Sequence, residues 1–430
     1  MLSIIATPVL RCGRVRSRVL FVALVLAHGA AHAQQIVVTL DGALQSAADH
    51  NTAIQAAQAS VSARSEAAIR AGQLPNPTLA AGIDNLPING PQSFTIGQNI
   101  LTMRRVGIGQ EWVSSDKRQL RSDLANQRVD RERSSYLEEV ANVRQQTAMA
   151  WLNAAYAKQA VSLQVSLVDH MRHELTATQA SYRGARATAS DVAQAQLMLA
   201  QTQDDLLKAR QVFQTALIGL SRWTASTATD VAGDPPTPES VVASLAPDQL
   251  RMVQPVLVAA SADVRVADAD TAVASSDRSS NWSWNLSYLQ GGNHSSFVSV
   301  GVSIPLPINR KNLEDRDVSE KAELATKARL IYEDTQRQVE ADIEALSATL
   351  ASGRERIANL QQTLLPAADQ RVGLATAAYQ AATGSLADTF AAKRAQLDAE
   401  LKVLSLQRDV SLTWAQLEYQ VVPPTLSASR

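Results

Sequence analysis

Apolar and polar positions along this chain follow two periods. Trp282, Trp284, Leu286 and Tyr288 alternate with Ser283, Asn285 and Ser287; Gln290-Gly291-Gly292-Asn293 then supplies turn residues, and Val298, Val300, Val302 and Ile304 alternate with Ser299, Gly301 and Ser303. A period of two predicts a hairpin with one apolar face and one small, polar face. Less clear strand candidates occur at 78–84 and 93–113. Elsewhere the period is helical. Residues 40–71 read as a helix stopped by Gly72 and the prolines at 75 and 77. No proline occurs between Pro91 and Pro235, and 114–183 reads as one helix, about 105 Å long at 1.5 Å per residue. The helix that returns from it carries Val192, Leu199, Leu206, Phe213 and Leu220 at seven-residue steps, with Ala195, Ala209 and Ala216 at the companion position, the seam of a close coiled coil. Phe390, Leu397 and Leu404 repeat the device, and Pro366 predicts a kink in the helix before them.

The pattern occurs twice. Tyr182, Gly184 and Asp191 correspond to Tyr379, Gly384 and Asp388, and the Tyr and the Asp are both displaced by 197 positions. Gly107-Ile108-Gly109 against Gly301-Val302-Ser303, and Lys117 against Lys311, are displaced by 194. Several landmarks in one order with nearly one offset imply a duplicated unit of helix, two strands and a long helical hairpin. The repeats span 34–223 and 255–420. Between them 224–254 carries Asp234-Pro235-Pro236-Thr237-Pro238 without periodicity and reads as a linker that packs around the helices; 421–430 is a tail.

Composition sharpens this picture. Of 430 residues 71 are alanine and only 4% are aromatic, which suits long helices in close approach. Arg11, Arg14, Arg16 and Arg18 precede an apolar run from Val19 to Ala27, and Ala31-His32-Ala33 suits a signal peptidase, so 1–33 reads as an export signal with cleavage before Gln34. The sole cysteine, Cys12, leaves with that segment, and so do four arginines, giving an exported chain with a net charge of about −5. Nucleic acid is a poor partner for such a chain.

No segment after the signal approaches a transmembrane helix, so a membrane must be met by β-strands or through a partner. Alternation also marks soluble sheets with one buried face. Here the polar face is Ser, Asn and Gly, suited to a wet interior, and the apolar face begins with two tryptophans, suited to the lipid interface. Trp282, Trp284, Leu286, Tyr288, Val298, Val300 and Val302 are therefore the expected membrane-facing residues. Four strands cannot close a membrane barrel, which needs at least about eight, so several chains must pool theirs.

At Thr39-Leu40-Asp41-Gly42-Ala43-Leu44, at Leu74-Pro75-Asn76-Pro77, at Leu364-Leu365-Pro366-Ala367-Ala368 and from Ala378-Tyr379 to Asp388, the chain resembles the TolC-like outer-membrane efflux proteins of Gram-negative bacteria. The resemblance covers essentially the whole exported chain. It implies a mainly α fold with a membrane β-barrel portion: a coiled-coil helical tunnel through the periplasm, and four strands per chain given to a twelve-stranded barrel shared by a homotrimer. It further implies an exit duct working with a periplasmic adaptor and an inner-membrane pump, with outer-membrane lipid around the barrel. By the same resemblance Tyr182, Gly184, Tyr379 and Gly384 belong to the adaptor-contacting tips, and Asp388, with Asp191 as its repeat-mate, to a channel constriction. Gly184 stands farther from Asp191 than Gly384 does from Asp388, which leaves the first tip's geometry open.

Read from the residues alone, each Asp suits the N-cap of the helix that follows its turn: for Asp191, preceded by Ser190, the cap is the favoured role, and for Asp388 cap and constriction stand equal. An enzyme finds little support. His50, His170, His173 and His294 belong to no nucleophile or zinc signature, no phosphate-binding glycine loop occurs, and no metal or cofactor site is expected; His170 and His173 beside Glu174 are solvated helix residues rather than ligands. Thr102-Met103-Arg104-Arg105-Val106-Gly107 and Asp116-Lys117-Arg118 are similar to the heavy-metal branch of the family, which implies metal-cation cargo. Met103 is a soft ligand or ordinary packing. Drug efflux, type I protein secretion and, from another class, a surface stalk or adhesin are the alternatives.

Overall fold

The computed structural model describes residues 37–422 apart from 293 and 382. The expected export signal, position 293 of the hairpin turn and residues 423–430 of the tail lie outside them.

After a short strand β1 (Val37–Val38) the chain forms α1 (Leu40–His50) and α2 (Thr52–Ala71). The sequence predicts one helix here, and Asn51 divides it. Its backbone leaves the helical region, its side chain accepts from Ala53 N at 2.9 Å, and its amide donates to Trp223 O at 3.3 Å. A buried Asn that both caps and tethers stabilises the break more than helix propensity opposes it.

Strands β2 (Thr78–Asp84) and β3 (Met103–Trp112) follow. The strand expected from 93 begins only at 103. Asn85 and Phe94 are in the left-handed region and Gly90 and Gly97 have positive φ, so 85–102 is a looped connection whose turns break any strand pairing.

Helix α3 (Ser115–Arg183) is 69 residues long, about 100 Å, capped by Ser114 and ended at Gly184. It returns as α4 (Ala189–Thr224), on which Ala195, Leu206 and Leu220 of the predicted seam are buried. The linker contains β4 (Asp230–Val231), paired in parallel with β1, a single 3₁₀ turn at Val242–Ser244 and α5 (Pro247–Val253). It is fastened to the helices: Lys158 pairs with Asp230 at 2.8 Å and Trp414 Nε1 donates to Glu239 O at 2.8 Å, while β1, the partner of β4, is held by Trp151 Nε1 donating to Val38 O at 2.9 Å.

The second half repeats the plan with α6 (Pro255–Asp277), β5 (Trp282–Gly291), β6 (Ser296–Ser303), α7 (Glu314–Gln380) and α8 (Leu386–Glu418). Pro366, where the sequence predicts a kink, lies inside α7 without ending it.

The strands form one antiparallel sheet in the order β2-β3-β5-β6. Helices α2, α3, α6 and α7 lie side by side in the same order, each continuous in sequence with its strand. Toward the tips the row becomes α4-α3-α8-α7. The main core surrounds Trp151, Leu152, Leu220, Trp414 and Leu417 where helices and linker meet; a second one nearer the tips gathers Leu167, Met171, Ala195, Leu386, Phe390 and Leu397.

Candidate channel wall and tips

The register of the sheet places like with like. Leu79, Ile108, Leu286 and Val300 stand in one cross-strand row, Ala81, Val106, Tyr288 and Val298 in the next, then Gln110, Trp284 and Val302, and finally Trp112 and Trp282, with ring centroids 6.1 Å apart. Among the described residues no helix covers this face: Val300 is 74% and Val298 70% exposed, and of the seven expected membrane-facing residues only Trp284 is half-buried. The apolar rows from Trp282 to Tyr288 rise about 20 Å at ~3.3 Å per residue. Tryptophans bound them on the helix side, and the row Arg104, Gln290 and Ser296 bounds them on the far side, where Tyr288 Oη lies 2.6 Å from Ser296 Oγ. An apolar band between aromatic and polar borders fits a bilayer. Among the described residues, no helix is long and apolar enough to cross a membrane.

The opposite face is small and polar in its part nearer the helices. Gly107 faces Ser287 and Ser299, Gly109 faces Asn285 and Gly301, and Glu111 faces Ser283 and Ser303. A Cβ on Gly107 would collide with Ser287 Oγ, and one on Gly301 with Asn285 Oδ1. On the concave side of a curved sheet neighbouring side chains converge, and glycine beside a polar residue relieves that crowding. Met103, the possible soft ligand, lies on this face as the partner of Asp84 and Gly291.

Where sheet meets helices, sequence reading misses a polar knot. Lys117, 5% exposed at its side chain, donates to Ser279 O and to Asn281 Oδ1 at 3.0 Å and pairs with Asp277 at 3.3 Å; Asn281 donates in turn to Glu111 at 2.8 Å. The repeat offset marks Lys117 as a landmark but gives no hint of its partners, which lie about 160 residues away in sequence.

The two tips have the same length. The ascending helices end at Arg183 and Gln380 and the descending ones begin at Ala189 and Leu386. Asp191 and Asp388 are not the N-caps that the residues alone suggest. The caps are Thr188 and Ser385, and each Asp is the third helical residue, closing a capping box. Thr188 N donates to Asp191 Oδ2 at 2.8 Å and Asp191 N to Thr188 Oγ1 at 3.1 Å; the Ser385–Asp388 contacts are 3.3 and 3.1 Å. Bonds from the Thr188 backbone and hydroxyl hold the Asp191 carboxyl below its ordinary range, as the Ser385 hydroxyl and backbone do for Asp388. Gly184 is the C-cap of α3, whereas Gly384 closes the second turn by donating to Ala378 O at 3.0 Å, which explains their unequal spacing from the aspartates. Tyr182 is exposed; Tyr379 packs on the tip core. His170 and His173 lie on α3, and among the described residues no group of three or more His, Cys, Asp or Glu could hold a metal ion.

Long paired helices are thus joined to a small sheet with an uncovered apolar face. Solved structures share this fold: the outer membrane protein VceC from Vibrio cholerae (TM-score 0.70, 15% identity, 89% of this chain and 95% of that one), the Campylobacter jejuni CmeC outer membrane channel (0.73, 12%, 89% and 85%) and the open state of the Neisseria gonorrhoeae MtrE outer membrane channel (0.69, 18%, 89% and 88%). No curated protein matches in sequence. Residues 43–226, essentially the first repeat, match the model of the outer membrane efflux protein family.

Proposed function

We propose that three copies of this chain form the exit duct of a tripartite efflux pump, passing cargo from the periplasm to the exterior. The observation that carries this is the sheet: it has an apolar face that its own helices leave bare, and open edges at β2 and β6. Lipid tolerates neither an unpaired edge nor an unclosed sheet, and three such sheets joined edge to edge give twelve closed strands. The edge helices α4 and α7 also carry exposed Leu197, Leu207, Val212 and Ile218, and Leu324, Leu330, Ile331 and Leu374, respectively, an apolar supply for contacts between copies. Protein extracted in mild detergent should have the mass of a trimer and conduct in planar bilayers. A monomer stable in water without detergent would end this reading.

The tips around Tyr182, Gly184, Tyr379 and Gly384 are the surface offered to a periplasmic adaptor, and Asp388 with Asp191 belongs to a constriction. Aspartates held in capping boxes keep their charge near neutral pH, so both roles coexist. Asp388→Ala should raise conductance or weaken cation block; an unaltered pore of lower thermal stability leaves the capping role alone. The cargo proposed is heavy-metal cations, on the resemblance of 102–107 and 116–118. Deleting the gene with its neighbours should sensitise cells to metals, and unchanged metal resistance would leave drugs or secreted polypeptides.

A further inference from the structure

The inward face of the sheet runs from Asp84, Met103, Leu289, Phe297 and Arg105 at the end far from the helices, through Ser, Asn and Gly, to Glu111 beside them. It bears three charged side chains. Arg105 and Asp84 neutralise each other at 3.2 Å. Glu111 is exposed and, among the described residues, has no cation within ion-pair distance; its one side-chain contact is the Asn281 amide at 2.8 Å. That amide is fixed by the buried Lys117, so the carboxylate is held in place without being neutralised at short range.

We propose that Glu111 sets the ionic preference of the barrel lumen, a reading that rests on the trimeric duct. One such residue per chain makes a ring of three carboxylates at the periplasmic mouth of the barrel. Twelve strands about 4.8 Å apart and tilted by about 40° give a backbone radius of roughly 12 Å, and a glutamate side chain brings its charge to about 8 Å from the axis. That is about one Debye length at physiological salt and far inside the ~30 Å length at 0.01 M. The ring therefore favours cations over anions, strongly in dilute salt and not at all near 1 M, where the screening length falls to about 3 Å.

Reversal potentials of the purified full-length protein under a tenfold KCl gradient test this. At about 0.01 M salt, Glu111→Gln should lower the cation-to-anion permeability ratio about fivefold. Glu111→Asp should stay within about twofold of the parent, and every difference should vanish near 1 M salt. Ser283, directly opposite Glu111 in the register, offers a second route. Ser283→Lys places a cation in the same ring without removing the Asn281–Glu111 bond and should produce the same loss, so a poorly folding Glu111→Gln does not end the test. Pores whose ratio is unchanged in both variants overturn the role of Glu111 and leave the duct intact. A parent protein that forms no pore overturns the duct and this role with it.

Discussion

Helices α3 and α7 descend from the same half of a duplicated unit and have nearly the same length, 69 and 67 residues, yet α3 buries twenty of its residues and α7 six. The difference is one of place. Helix α3 has α2 and α4 on one flank and α6 and α8 on the other, whereas α7 has α6 and α8 on one flank, touches the linker near its 3₁₀ turn, and among the described residues has no helix of its own chain on the other flank. A duplicated sequence thus acquires a central and an edge version. The central one carries the large apolar side chains, such as Trp151 and Leu152; the edge one keeps charges and a few exposed leucines. Hydrophobic burial follows the position a helix takes in the row more closely than its ancestry.

Four experiments break or sharpen this contrast. The largest effect is expected for Trp151→Ala, which removes a side chain 1% exposed and its bond to Val38, at a cost of about 3–5 kcal/mol by chemical denaturation of the detergent-solubilised protein. At the corresponding place in α7 the exposed Ala348→Trp should change stability by less than about 0.5 kcal/mol. Next is Gly353, where α7 meets α8. A Cβ there would lie 2.5 Å from Val410 Cγ2, so Gly353→Ala, which normally favours a helix by about 0.5–1 kcal/mol, should instead destabilise by roughly 1–3 kcal/mol. Adding Val410→Ala should recover part of that loss; no recovery would mean that the clash is not the cause.

The tips come third. Thr188→Ala and Ser385→Ala should each lower helix stability by about 1 kcal/mol. Because the carboxyls of Asp191 and Asp388 are held below their ordinary value of 3.8, the boxes contribute fully above that value and lose their contribution as pH falls through the lower, folded-state one. The deficit of the two variants should therefore shrink in acid, and a deficit constant down to pH 3 would show that the aspartates are not involved. The smallest effect on the protomer, within about 0.5 kcal/mol, is expected for Leu330→Asp on α7 or Ile218→Asp on α4, exposed by 59% and 72%. Their readout is assembly: a shift from trimer to monomer in detergent supports the edge reading, and an intact trimer refutes it.

Most of the element order is legible in the sequence because its signals are local. A run from Ser114 to Arg183 without helix breakers, the strict alternation from Trp282 to Tyr288 and again from Val298 to Ile304, and the offset of 197 between the tips each depend on residues near one another along the chain. Where reading fails, the deciding partner is distant. Asn51 splits a helix because Trp223 receives its amide; the exception is 93–102, which leaves the strand pattern through a local signal, the turns at Phe94 and Gly97. The tip aspartates were legible as capping candidates, but their place as the third helical residue depends on where the turn ends.

The sequence by itself determined what each stretch prefers: long helix, two-faced strand, tight tip, twice over. Only the tertiary structure decided which stretch lies at the centre and which at an edge, which glycines make room for a neighbour's side chain, and that Lys117 of one repeat anchors Asn281 of the other. Preference is set by side-chain pattern over a few turns or a few pleats. Position is set by competition among all such surfaces for cover, and that competition has no local signature.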